Sequence, residues 1–164
     1  MSGALEVEVS TLDWNVEVIA AAVGDSPDPA RFAPSSDPRQ GRLDASGALE
    51  VAGTSLDAEV FARRIPVPQV IKVGIEGAEA QALSGARSLL LEARPRVWIE
   101  THGWQAHEEC LEAFRSLGYR IADEQAAGSS GYGRLLACHG TTAAGAGQGR
   151  TSAWTGAGRA KGLA

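Results

Sequence analysis

Cysteine is nearly missing from this chain. Of 164 residues only Cys110 and Cys138 carry thiols, and they lie far apart. Two such residues do not make the disulfide framework of a small secreted domain. A basic excess is absent too, the formal net charge being −5. That argues against nucleic acid as the main partner, because phosphate binding wants a basic surface. No apolar run approaches the roughly 20 residues needed to span a bilayer. The N-terminus holds Glu6 and Glu8 and no basic cluster, unlike a signal peptide. No glycine-rich turn of the kind that cradles a phosphate is visible. These absences point to a cytoplasmic protein with reduced thiols, whose partners are neither nucleic acid nor membrane. What remains is ordinary for a soluble domain: 21% charged and 44% hydrophobic residues, enough chain for one domain with a core and not for two.

The most informative stretch runs from Val70 to Gly103. Val70, Ile71, Val73 and Ile75 form an apolar strand that ends in Glu76-Gly77. Leu83, Ala86 and Leu90 then fall at the spacing of one buried helix face. Arg94-Pro95 stops that helix, since proline disfavours the helical region for its predecessor. Val97 to Thr101 supplies a second strand. Two strands joined through a helix in about thirty residues make a βαβ crossover and a parallel sheet. Ligands of such sheets bind outside the carboxyl ends of the strands. Here those ends carry Gly74-Ile75-Glu76-Gly77 and Glu100-Thr101-His102-Gly103.

Around this unit the pattern predicts further elements. Leu5, Val7 and Val9 alternate with acidic residues as in a half-buried strand, and Val16 to Val23 reads as a better one. Asp25 to Ser46 is polar, rich in proline and serine, and reads as a loop. Leu49 to Val51 reads as a short strand, and Ser55 to Phe61 as a helix capped by Ser55. Glu108 to Leu117 is an amphipathic helix ended by Gly118. Tyr119 to Ala122 and Arg134 to Cys138 are strands flanking a turn region, Asp123 to Gly133. From Gly140 onward the chain is glycine, alanine, serine and threonine without apolar periodicity. The division is therefore a domain over residues 1–139 and a disordered tail over 140–164.

Ile71-Lys72-Val73-Gly74-Ile75-Glu76-Gly77-Ala78-Glu79, then Leu83, Gly85-Ala86, Pro95 and Glu100-x-His102, resemble the signature of FkbM-type methyltransferases. Ala22-Val23-Gly24-Asp25 resembles the end of that family's third strand, and Thr54-Ser55-Leu56-Asp57 its Thr-x-Leu-Asp element. Gly118-Tyr119, Ile121 and Leu135-Leu136-Ala137 resemble its closing hairpin, so the likeness covers roughly Val16 to Cys138. It implies an α/β fold, Rossmann-like, with a mixed, mainly parallel sheet and a C-terminal antiparallel hairpin. It implies S-adenosylmethionine as methyl donor, and a hydroxyl of a small molecule or sugar as acceptor. In the family a β-hairpin excursion often occupies the region read above as a loop. Two departures stand out. Gly74 takes the place of an aspartate. Nothing resembles the family's first strand with its glycine-rich turn, or the acidic residue closing its second strand. The chain thus looks like the C-terminal part of such an enzyme, its cofactor cradle missing. A sheet lacking its first strands exposes an edge that invites self-association.

Candidate catalytic residues are Glu76, Glu100 and His102. Glu76 sits in the strand-to-helix turn, placed either as a proton acceptor or as a carboxylate favoured by the helix dipole. Glu100 and His102 share one face of a strand, and a carboxylate beside an imidazole suits proton transfer. The alternative is that both bond loop backbone at the sheet's end. With His107 they are conceivable metal ligands, but the spacing matches no zinc motif, and no metal is expected. The resemblance makes Asp25 and Val23 the cofactor contacts, with Asp25 facing adenine. Otherwise Asp25-Ser26-Pro27 is a turn. Lys72 reads as structural, its amine reaching a carboxylate or the sheet's end. Asp57 reads as a turn or helix-start residue rather than part of the active-site rim.

Overall fold

A computed structural model describes residues 16–37, 40–129 and 131–140. The expected strand at Leu5–Val9 and the tail beyond Gly140 lie outside them.

The centre is a four-stranded sheet. β6 (Val70–Val73) and β7 (Arg96–His102) run parallel, with Val70 opposite Arg96 and Val73 opposite Ile99. β9 (Tyr132–His139) lies antiparallel to β7 and β8 (Tyr119–Gln125) antiparallel to β9, giving the order β6-β7-β9-β8. The closing hairpin is longer than its sequence suggests. Its ladder carries a register irregularity between Ile121 and Asp123, and pairing continues to Gln125 and Arg134. Alternation along β7 explains its two faces. Val97, Ile99 and Thr101 are fully buried, while Arg96 and Glu100 are exposed on the other side.

Onto the buried face pack α2 (Glu79–Ser84), α3 (Arg87–Glu92) and α4 (Trp104–Ser116). Leu83, Ala86 and Leu90 are buried as their spacing predicts, but the helix is broken in two at Gly85-Ala86. The reason is a competing hydrogen bond: the Gly85 carbonyl accepts from the Asp57 N–H at 2.8 Å. Phe114, Leu90, Ile99 and Leu135 are the largest apolar side chains fully enclosed in this core. Gly118, in the left-handed region at φ 75°, ends α4. The Tyr119 hydroxyl then donates to the carbonyls of Leu90 and Pro95, tying the start of β8 to the α3–β7 junction.

Ahead of this unit, β1 (Ala22–Val23) pairs in parallel with β5 (Gly53–Thr54). The predicted strand from Val16 is confined to its last two residues. Its partner offers only two, and Val16, Val18 and Ile19 stay exposed. The polar stretch after it is not a plain loop. β2 (Ala30–Ala33), β3 (Arg42–Leu43) and β4 (Leu49–Val51) form a small antiparallel sheet with β2 in the middle. α1 (Leu56–Phe61) follows, its first turn capped by Ser55, whose hydroxyl accepts from the Ala58 N–H at 3.2 Å. The architecture is therefore mixed α/β with parallel and antiparallel pairings. Among the described residues it is not mainly parallel, with two parallel strand pairs against four antiparallel. No helix among them is long and apolar enough to cross a membrane.

Candidate active site

The carboxyl ends of β6 and β7 meet in a compact acidic–histidine cluster. After Val73 the chain turns through Glu76 at φ 55° and Gly77 at φ 101°, both left-handed. Glycine adopts this freely, whereas a glutamate there is uncommon. What holds the turn is Glu79, the first residue of α2. Its Oε1 accepts from the backbone N–H of Gly77 at 3.0 Å and of Ile75 at 3.3 Å. The N-cap position, Ala78, has no side chain that could do so, and an ionised carboxylate suits a helix N-terminus.

His102, the last residue of β7, enters this cluster from the neighbouring strand. Its Nδ1 lies 2.6 Å from Glu79 Oε1 and its Nε2 3.1 Å from Glu76 Oε1. Tyr132 meets the ring edge-on, with centroids 5.2 Å apart. The Glu79 side chain is fully buried and that of His102 is 16% exposed, so the imidazole lies between interior and surface. The second Glu79 oxygen, Oε2, is buried and has no hydrogen-bond partner among the described residues. The negative charge is felt nearby: burial, helped by Glu79 and Glu109, pushes the Cys110 thiol up to about 12. Such a thiol is inert.

One expected contact is replaced. Glu100 does not serve His102 as its hydrogen-bonded carboxylate. It pairs with Lys72, Nζ to Oε2 2.8 Å, and that ammonium holds the Glu100 carboxyl below its ordinary range. Both partners are about half exposed, so the pair contributes at most about 1 kcal/mol. Glu100 and His102 still border one cleft of about 270 Å³, with Tyr132 and Arg134. The Lys72–Glu100 pair also explains how Gly74 is accommodated. A Cβ built there would run into the Lys72 amine and lie 3.1 Å from Glu100 Oε2.

Asp25 follows β1 and lines a cleft of about 340 Å³ together with Ser26, Asp28, Arg31, Gly77 and Ala78. Val23 faces a neighbouring cleft of about 270 Å³ that it shares with Gly74 and Glu76. The expected residues therefore divide between adjoining spaces, and the β6–α2 turn borders both. Asp57 is no part of the site rim. It caps α3 across 31 residues, its carboxylate accepting from the Ser88 and Leu89 N–H groups at 2.8 Å each. His107 is buried against Thr101, Nδ1 to Oγ1 2.8 Å. Among the described residues no group of three or more side chains is arranged to hold a metal.

The sequence marks Glu79 only as part of the motif Ile71 to Glu79 and assigns it no role in the site. No helical spacing links it to Glu76, which lies in the left-handed turn ahead of α2. Tyr132 lay in a stretch read as turn, and nothing in its surroundings announced a contact with His102.

A family model described as the methyltransferase FkbM domain matches residues 6–121, well over half of the 164-residue chain. No curated protein and no solved structure matches it.

Proposed function

Since the chain belongs to the methyltransferase FkbM domain family, we propose that it methylates a hydroxyl of a small molecule or sugar, with S-adenosylmethionine as donor. The observation that carries this reading is His102, held between Glu79 and Glu76 at the carboxyl ends of two parallel strands. Active sites of open α/β sheets lie at that edge.

The residues fit the adenosine end of the donor. Asp25 supplies a hydrogen-bond acceptor in a cleft where Gly24, Gly53, Gly77 and Ala78 leave room beside the larger Arg31, Leu43 and Gln81. When bound, the donor would supply an electrophilic methyl group for the acceptor oxygen. The chain's part is to position the acceptor and to take its hydroxyl proton. His102 Nε2 and Glu76 are the groups placed to receive that proton, and Glu100 borders the acceptor cleft. Val23 and Asp25 are the cofactor contacts. We place the reaction in the cytoplasm, in keeping with the free thiols of Cys110 and Cys138.

A second reading is a non-catalytic module that pairs with another chain. It is favoured by the outer edge of β6, which has no partner strand among the described residues, and by Gly74, which offers no side chain to the site. Calorimetric titration with S-adenosylhomocysteine separates the two. The enzyme reading expects saturable binding near micromolar strength, roughly −8 kcal/mol. A folded sample that gives no heat favours the module.

A further inference from the structure

We propose that Glu79 is the positioning residue of this site, fixing His102 in the tautomer that carries its proton on Nδ1 and leaving Nε2 as the base. The inference rests on the catalytic reading above and deepens it. Its first support is geometric. Glu79 Oε1 already accepts two backbone N–H groups, from Gly77 and Ile75. An ionised carboxylate is acceptor-only, so the 2.6 Å contact to His102 Nδ1 is closed by a proton that the imidazole brings. A charge-assisted bond of that length is strong. Which ring nitrogen is protonated follows from the bond the other nitrogen makes.

The second support is burial. Glu79 is fully enclosed, and among the described residues Oε2 has no hydrogen-bond partner. A helix-start carboxylate does its work at the surface, where water solvates it. Burying one with an unsatisfied oxygen costs free energy that a cap alone does not repay, whereas a fixed imidazole orientation is a use that only a buried, immobile acceptor can serve.

The third is proton counting at the other nitrogen. With Nδ1–H committed to Glu79, a neutral His102 has no hydrogen on Nε2. That nitrogen and Glu76 Oε1 then face each other at 3.1 Å as two acceptors. The proton that closes this contact is the one a methyl acceptor's hydroxyl releases as its oxygen takes the methyl group. It moves from that oxygen to Nε2 and is shared with Glu76. Glu76, 28% exposed, is the outward member of the trio and Glu79 the inward one.

The test needs neither methyl donor nor acceptor. Nitrogen-15 spectra of the imidazoles distinguish the two tautomers, and the chain's three histidines can be assigned one at a time with His107 and His139 variants. The expected result is an Nδ1–H tautomer for neutral His102 in the natural protein. It is retained in Glu79→Gln, whose amide oxygen accepts the same three donors, and lost in Glu79→Leu. An Nε2–H tautomer in the natural protein overturns the proposal. So does an unchanged tautomer in a Glu79→Leu variant that still unfolds cooperatively. If that variant does not fold, the natural protein and Glu79→Gln decide alone, and loss of the Nδ1–H tautomer in Glu79→Gln counts against the proposal. Absence of S-adenosylhomocysteine binding sinks the methyltransferase reading and leaves the tautomer result standing, so the two failures are told apart.

Discussion

Glu59 sits buried in α1 while its partner Arg64 reaches out to solvent, and the two meet at 2.6 Å. The Thr54 hydroxyl bonds the same carboxylate. Arg64 first, then Thr54, pull the Glu59 pKa from 4.5 down to about 2. A depressed carboxylate contributes stability that is present above its unfolded pKa and lost as pH falls through its folded one. The window is therefore pH 4.5 to about 2. Thermal melts across that window should show the natural protein losing stability more steeply than Glu59→Gln, and parallel curves would refute the assignment. Residues of this kind mark the limit of what sequence discloses. Lys72 inside an apolar strand reads as reaching a carboxylate or the sheet's end, and its amine meets a carboxylate. That the carboxylate is Glu100, leaving Glu79 for His102, depends on distances between two strand ends that no local pattern encodes.

Among elements, the informative one is the break between α2 and α3. Spacing alone placed Leu83, Ala86 and Leu90 on one buried face, because that face follows from the helical period. The period is silent about the carbonyl of Gly85, which is drawn off by the Asp57 N–H from another part of the chain. Strands that pair over many residues, β7 above all, were legible. Val16 to Val23 was not, because a strand's length is set by its partner, and β5 offers two residues. Gly85 also lets the break press against the segment that carries Asp25. A Cβ there would collide with the Gly24 carbonyl oxygen and come within 3.0 Å of Asp25 Cα and 2.9 Å of Ser55 Cβ. Backbone cannot yield as a flexible side chain does. Gly85→Ala should therefore cost about 1–3 kcal/mol in denaturant unfolding and weaken S-adenosylhomocysteine binding through the displaced Asp25. A loss within about 0.5 kcal/mol, the range of neutral surface changes, would mean the contact is soft.

At the scale of the whole molecule, the central sheet is covered on one face by three helices, and among the described residues no strand lies outside β6. Val70 on that strand is 65% exposed. An apolar edge without a partner strand is a template for association. Sedimentation at rising concentration should show self-association of the natural protein that Val70→Lys suppresses, since an inserted charge blunts an edge. A natural protein that stays monomeric throughout removes the idea. The α/β class, the βαβ unit and the closing hairpin were all readable, because each is written in contiguous periodicity. The clefts beside Asp25 and Val23 were not, since they arise where β1, the small antiparallel sheet and the β6–α2 turn approach one another.

The cap that Asp57 places on α3 bears on how the chain reaches this state. A six-residue helix is too short to persist alone in water, and the carboxylate that satisfies its first N–H groups arrives from 31 residues upstream. At its other end, Tyr119 grips the Leu90 carbonyl from 29 residues downstream. Helix α3 thus has no local route into existence. It consolidates when earlier and later segments close around it, and each such closure of a loop about thirty residues long carries an entropic cost.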